Sequence, residues 1–347
     1  MSIVSITERE YRALSYNSSS SLKDFSQDRR KYYRKYILDE NIKEKENKAS
    51  NMGKLVETIL MEPDRFDEMF FMSTLIKVPG GMLNEFIWNL SEIVGDRGGE
   101  EGFDFEEAAR EAYNSTDYKI KFETVLGYLD KPENKLYYDE CLMVNHLEMI
   151  MVTAQDVDNA EKIVFELKNN PTTATIVNLE SSIRYTVLDQ MKIEDYEIDG
   201  MRLKSMLDKI IIDHEKSEVN IYDLKCTWSV EEFYKEYYLF RKAYIQAYLY
   251  FRAVEYLANT DPTCGFFGYK VLFPKFIVCD SINYYQPLIY TVNLSDMREA
   301  YEGFTHKYTY YPGVKQIIEE LQWAISNDVW TISKTNFDKG GILNIKD

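Results

Sequence analysis

Two apolar, β-prone runs near the middle of the chain each carry a carboxylate. They are MRLKSMLDKIIID (201–213) and EVNIYDLKCTWS (218–229). Asp208 follows Met206-Leu207 and precedes Lys209-Ile210-Ile211-Ile212, and Asp223 follows Ile221-Tyr222. Strand alternation puts Asp223 and Lys225 on one face and Leu224 on the other. A neighbouring strand carrying Asp208 brings two carboxylates to one place. Mg²⁺ is commonly held in this way, by one or two carboxylates with substrate phosphate completing the shell. A lysine beside the attacking water orients it or stabilises the developing phosphorane charge. D-x-K alone is common in charged chains, where Asp and Lys on an exposed strand face need no function. The surroundings here are more specific. Ser229-Val230-Glu231-Glu232 forms a capping box and opens a long helix expected to run to about Ala258. That helix carries Gln246 and Tyr250 four residues apart, on one face.

The rest of the chain divides by texture. Residues 16–38 open with a serine cluster suited to N-capping and continue as a basic, aromatic helix. Residues 41–50 read as a charged loop, and Ala49 to Met61 as a helix that Pro63 ends. Glycine-rich stretches in 78–103 flank a short amphipathic helix, and Phe105 to Asn169 is helical almost throughout. After Pro171 the pattern turns to strands: IVNLESSIRYTVLDQ, the two acid-bearing runs, then GFFGYKVLF and QPLIYTV. A final long helix is expected from Ser295 to about Ser326. The order predicts an α+β fold with a mixed sheet. Residues 1–65 form an N-terminal helical part, 66–165 a helical insertion, and 166–347 the core.

Composition narrows the chemistry. The four cysteines, Cys141, Cys226, Cys264 and Cys279, include no C-x-x-C pair, so zinc and iron–sulfur sites are not expected. Three scattered histidines show no ligand spacing, and no Ser/His/Asp or Cys/His signature is present. Catalysis therefore rests on carboxylates and lysine. The net charge of −17 rules out a protein that coats DNA nonspecifically, since phosphate binding needs clustered Lys and Arg. One local excess exists: residues 23–54 hold ten Lys/Arg against six acids. A solvated helix face explains it as readily as a phosphate contact. No run approaches a membrane span and no signal core opens the chain, so a cytoplasmic protein without membrane contact is expected.

The run GMRLKSMLDKIIID…VNIYDLKCTWS…YIQAYLYFRAV resembles the RecB-type branch of the PD-(D/E)XK nucleases, and within it the exonuclease VIII (RecE-like) phage recombination exonucleases. In that family an Asp closes the second strand, D-x-K lies on the third, and a Gln-x-x-x-Tyr helix follows. The matching positions are Asp208, Asp223, Lys225, Gln246 and Tyr250. SNMGKLVETILMEPDRF is similar to the family's Gly-x-x-x-His helix, with Glu57 where His is usual, and Glu180 falls where many members carry an acid at the first core strand. The resemblance covers 16–65 and 176–292 but hardly 66–165. It implies a restriction-endonuclease-like core and a Mg²⁺-dependent deoxyribonuclease, with Mn²⁺ able to substitute. The activity implied is exonucleolytic, on double-stranded DNA ends. Glu57, Asp208, Asp223 and the Leu224 carbonyl would hold the metal, and Lys225 would activate water. Arg29, Arg30, Arg34, Lys35 and Lys54 would contact phosphates. A ring-like homo-oligomer and a single-strand annealing partner are implied as well. A RecB-type endonuclease or single-strand nuclease, a degenerate nuclease fold that binds without cutting, and a helical scaffold with an accidental D-x-K stand as alternatives.

Overall fold

The computed structural model describes residues 6–40, 48–98, 102–284 and 286–342. The chain forms two compact units, one of Met1–Ala49 with Phe165–Asp347 and one of Ser50–Val164.

The first unit is built on a mixed six-stranded sheet. Its strands are β1 (Tyr185–Ile198), β2 (Met201–Asp213), β3 (Glu218–Thr227), β4 (Lys270–Val271), β5 (Lys275–Asp280) and β6 (Leu288–Thr291). The order is β1-β2-β3-β5-β6, with β4 also paired to β3. The first three strands are antiparallel, β5 runs parallel to β3, and β6 is antiparallel to β5. The β1–β2 turn is Asp199-Gly200, with φ of 50° and 77°. Positive φ at both central residues matches the twist of a two-residue hairpin, which is why Asp-Gly serves there. The next turn is tied by Asp213 Oδ1, which accepts from Glu215 N and Lys216 N at 3.1 Å each.

The longer helices of this unit are α1 (Ser19–Gln27), α2 (Ala243–Thr260), α3 (Leu294–Glu302) and α4 (Val314–Asn327). The serine cluster caps α1 as expected: Ser18 Oγ accepts from Ser21 N, and Ser21 Oγ accepts from Ser18 N. Leu22 and Phe25 of α1 are buried in the main core with Tyr244, Ile245 and Leu249 of α2 and Ile317, Ile318 and Leu321 of α4. Each such buried side chain contributes about 1.5–3 kcal/mol. After α1 the chain runs as a short helix, Arg29–Tyr32, and a π-helical turn, Tyr33–Ile37.

Three elements differ from the sequence reading. The helix expected from Ser229 onward is broken. Tyr234–Phe240 is π-helical, Lys242 is left-handed (φ 54°), and α2 starts only at Ala243. The Lys242 ammonium donates to Ser26 O (3.1 Å) and Ser26 Oγ (2.6 Å), which pins the break to the end of α1. The final long helix is two helices separated by a small hairpin, Phe304–His306 with Thr309–Tyr311. Gly303 (φ 84°) ends the first of them, and a Cβ on Gly313 would collide with the backbone of Tyr301 and Gly303. GFFGYKVLF yields only the two residues of β4, and the strand beside β3 is KFIVCD (β5) after Pro274. Glu180 lies exposed, five residues ahead of β1.

The Ser50–Val164 unit is mostly helical, with Gly81–Arg97, Phe105–Asn114 and Pro132–Leu147 around Phe86, Leu90, Ala109 and Tyr137. Two three-residue strands, Phe70–Met72 and Ile150–Val152, pair in parallel. The buried Glu140 carboxylate accepts from Ser73 Oγ (2.6 Å) and Thr74 N (2.8 Å). This unit begins at Ser50 rather than at residue 66. The helix Lys48–Met61 continues into it through Pro63, and Thr58 contacts Met69.

The short helix Glu8–Ala13 is tied to the sheet through a lysine side chain. The buried Lys204 of β2 donates to the carbonyls of Tyr11 (2.8 Å), Arg12 (3.0 Å) and Leu14 (2.6 Å). These are the last carbonyls of a short helix, which a cation satisfies well. Lys204→Met strips three buried acceptors of their donor. It is expected to lower unfolding free energy by about 1–3 kcal/mol, read from a shifted urea midpoint at unchanged slope.

Candidate active site

The β2–β3 ladder runs from Asp213↔Glu218 to Lys209↔Tyr222. One step further along that register, Asp208 stands across from Asp223. The pairing gives way there: Asp208 Oδ2 accepts from Leu224 N at 2.8 Å, so a side chain takes the donor that a ladder would have used. Both acids are buried, at 9% and 1% exposure. A buried carboxylate needs charge or hydrogen-bond partners. Asp223 Oδ1 accepts from Gln246 Nε2 at 2.8 Å, and Asp223 Oδ2 lies in ion-pair contact with the Lys225 ammonium. No hydrogen bond of proper geometry reaches that Oδ2. Lys225 also donates to the Leu224 carbonyl at 3.3 Å.

Helix α2 supplies the roof. Gln246 Nε2 also donates to Tyr250 Oη at 2.8 Å, and Gln246 Oε1 accepts from Lys23 Nζ of α1 at 3.3 Å. The amide is thereby oriented, with its NH₂ toward the carboxylate and its oxygen toward the ammonium. Burial first, then the charges of Asp208 and Asp223, push the Tyr250 phenol well above its ordinary pKa, so it is a neutral hydroxyl. Lys23 is half-buried. Burial and the neighbouring Lys225 charge lower its ammonium to about 8, against the opposing pull of Asp223 and Asp24.

The expected residues therefore separate into groups. Asp208, Asp223, Lys225, Gln246 and Tyr250 meet at one place. Glu57 and Lys54 belong to the other unit, on the helix Lys48–Met61, Glu57 half-buried and Lys54 exposed. Several cations of the basic segment are paired with carboxylates. Lys35 pairs with Asp24 (3.4 Å), Arg34 with Glu40 (2.6 Å) and Arg29 with Glu320 (3.1 Å), while Arg30 is exposed. Arg29 faces a separate cleft of about 310 Å³, lined also by Phe25, Gln316 and Trp330. Lys43, Lys45 and the Lys48 side chain lie outside the described residues.

Two contributors were not singled out by the sequence reading. Lys23 was one of ten cations, with nothing local to mark it. Gln190 lies between the pairs Asp189↔Lys209 and Met191↔Leu207, and so across from Asp208 on its other side. It is buried and left-handed (φ 50°), a conformation costing about 1–2 kcal/mol in a non-glycine residue. A polar residue in a strand carries no sequence mark of such a backbone. Cys226, beside Lys225, is buried opposite Cys279, and both are free thiols.

The donor set suits a hard divalent cation. Two buried carboxylates face each other, and one oxygen has no hydrogen bond and only an ammonium for company. Among the described residues no three His, Cys, Asp or Glu side chains gather as a metal-ligand group. Among the described residues, too, no helix is long and apolar enough to cross a membrane.

No family model matches the chain, and no curated protein does. Among solved structures, the crystal structure of a protein from Eubacterium rectale, named a putative exonuclease, is similar. The TM-score is 0.47 and the identity 12%, over 94% of this chain and 88% of that one. A likeness at that level carries no inference about activity, which rests on the side chains described above.

The charges around Lys23 make a test of this geometry. Lys225→Met removes a like charge and is expected to raise the Lys23 pKa from about 8, whereas Asp223→Asn removes an opposite charge and lowers it. NMR titration of ¹³C-methylated lysines reads both. A Lys23 signal unmoved by either change overturns the placement.

Proposed function

We propose that this protein is a metal-dependent nuclease of the PD-(D/E)XK type that hydrolyses DNA phosphodiesters, acting on double-stranded ends. The observation that carries the reading is the meeting of two buried carboxylates, Asp208 and Asp223, where two strands part, with Lys225 two residues along and in ion-pair contact with Asp223. Buried acids left in this state are costly to folding unless a function requires them.

Asp208 and Asp223 would hold Mg²⁺ or Mn²⁺, with the Leu224 carbonyl as a further candidate ligand. A divalent cation so placed polarises a phosphoryl oxygen and makes water a better nucleophile at neutral pH. The chain's own groups do the rest. Gln246 fixes the Asp223 carboxylate through Oδ1, leaving Oδ2 toward Lys225. The Lys225 ammonium orients the attacking water and faces charge as it builds on the phosphate. Tyr250, neutral, holds Gln246 in place and keeps the roof of the site dry. An acidic exterior of net charge −17 keeps duplex from binding indiscriminately, so productive contact is confined to local cations. A ring-like homo-oligomer and a single-strand annealing partner are part of the same reading.

The test uses linear and covalently closed duplex with Mg²⁺, Mn²⁺ or EDTA. Linear DNA is expected to be lost and closed circles spared. EDTA and Asp223→Ala abolish the activity, and Lys225→Ala lowers it by about 10²–10³-fold. Gln246→Ala, which frees an outer-shell carboxylate contact, lowers activity or metal affinity by about 10–100-fold. Cutting of closed circles overturns the preference for ends, and wild-type rates in both Asp223→Ala and Lys225→Ala overturn the site.

A further inference from the structure

Three partly or fully buried lysines of the first unit differ in how their ammonium groups are satisfied. A lysine has three donors and no acceptor. Lys204 spends its donors on three carbonyls, and Lys242 gives to both the carbonyl and the hydroxyl of Ser26. Lys23 is half-buried, and among the described residues its one hydrogen bond is a long one, 3.3 Å, to Gln246 Oε1. Its place in the fold is well defined. It follows the buried Leu22 on α1, whose Phe25 anchors the next turn, so its stem emerges at the edge of the α1–α2 contact. There its head sits among Gln246, Asp223 and Lys225. A desolvated cation with donors to spare beside a carboxylate pair is matched by an anion that arrives from solution.

We propose that Lys23 is a second substrate-contacting cation of this site, donating to a non-bridging oxygen of the bound phosphodiester while its remaining hydrogen bond holds the Gln246 amide. The inference rests on the nuclease reading and adds to it a residue from α1, outside the strand–strand–helix pattern of Asp208, Asp223, Lys225, Gln246 and Tyr250. It assigns two roles to one ammonium. Toward Gln246, Lys23 is a positioning residue, because the amide oxygen it holds turns the NH₂ to Asp223. Toward the phosphate it is a direct contact. The two ammonium groups, Lys23 and Lys225, repel each other, and an incoming phosphate relieves that repulsion.

The experiment compares wild type, Lys23→Met and Lys23→Arg. Binding of a short labelled duplex is followed by fluorescence anisotropy in EDTA over a range of salt, and hydrolysis with Mg²⁺ is measured in parallel. A phosphate contact releases a counterion, so Lys23→Met is expected to reduce the slope of log K against log salt by about 0.9. It is also expected to lower kcat/KM by about 10²-fold, while Lys23→Arg keeps the wild-type slope. A wild type that neither binds nor cuts DNA overturns the nuclease reading together with this one. A wild type that binds and cuts, with a Lys23→Met of equal slope, overturns the Lys23 contact alone, even if its rate falls, because a purely positioning role moves rate without moving the salt slope.

Discussion

The carboxylate of Asp223, 1% exposed, is the constraint around which the first unit is arranged. A charge in that position has to be answered within hydrogen-bonding distance. Lys225 answers from the same strand and Gln246 from α2, while Asp208, opposite on β2, uses its own oxygen to close the backbone donor of Leu224. Removing any one partner leaves the others mismatched, so these elements are coupled through one group. The coupling also explains the ladder's end at Lys209↔Tyr222. Beyond it the Asp208 carboxylate, rather than a backbone carbonyl, takes the Leu224 donor.

The break before α2 follows from the same requirement. A continuous helix from Ser229 would enter α2 in a different phase. Instead the π-helical turn and the left-handed Lys242 reset the phase. Gln246 and Tyr250 then face the acids while Tyr244, Ile245 and Leu249 stay in the core. Lys242 is fixed to Ser26, at the end of the helix that also carries Lys23. One contact between α1 and α2 thus fixes where Lys23 and Gln246 point. π-helical turns and left-handed residues cost free energy, and their concentration near a site is common where geometry must be exact.

Charge is handled locally throughout. The chain is strongly acidic, and its most basic segment spends several of its cations on nearby acids such as Asp24, Glu40 and Glu320. Surface pairs of this kind add little stability. Lys23, beside the buried acids, has among the described residues a single, long hydrogen bond.

Much was legible in the sequence where local chemistry is decisive. The strands 201–213 and 218–227 announce themselves as apolar, β-prone runs, α1 by its serine cap, and the acids by their intrusion into those strands. The α+β class follows from the order of such runs. What the sequence left out depends on contacts distant along the chain. The break at Lys242 is set by Ser26, more than two hundred residues away. The split of the last helix depends on the close approach of Gly303 and Gly313, and β5 depends on a place beside β3 rather than on its own pattern. Lys23 was one of many lysines until α2 brought Gln246 to it. Residue types and their spacing determine which groups this protein can bring to a site. Only the tertiary structure decides which of them meet, because a hydrogen bond 3 Å long leaves no trace at a separation of 223 residues.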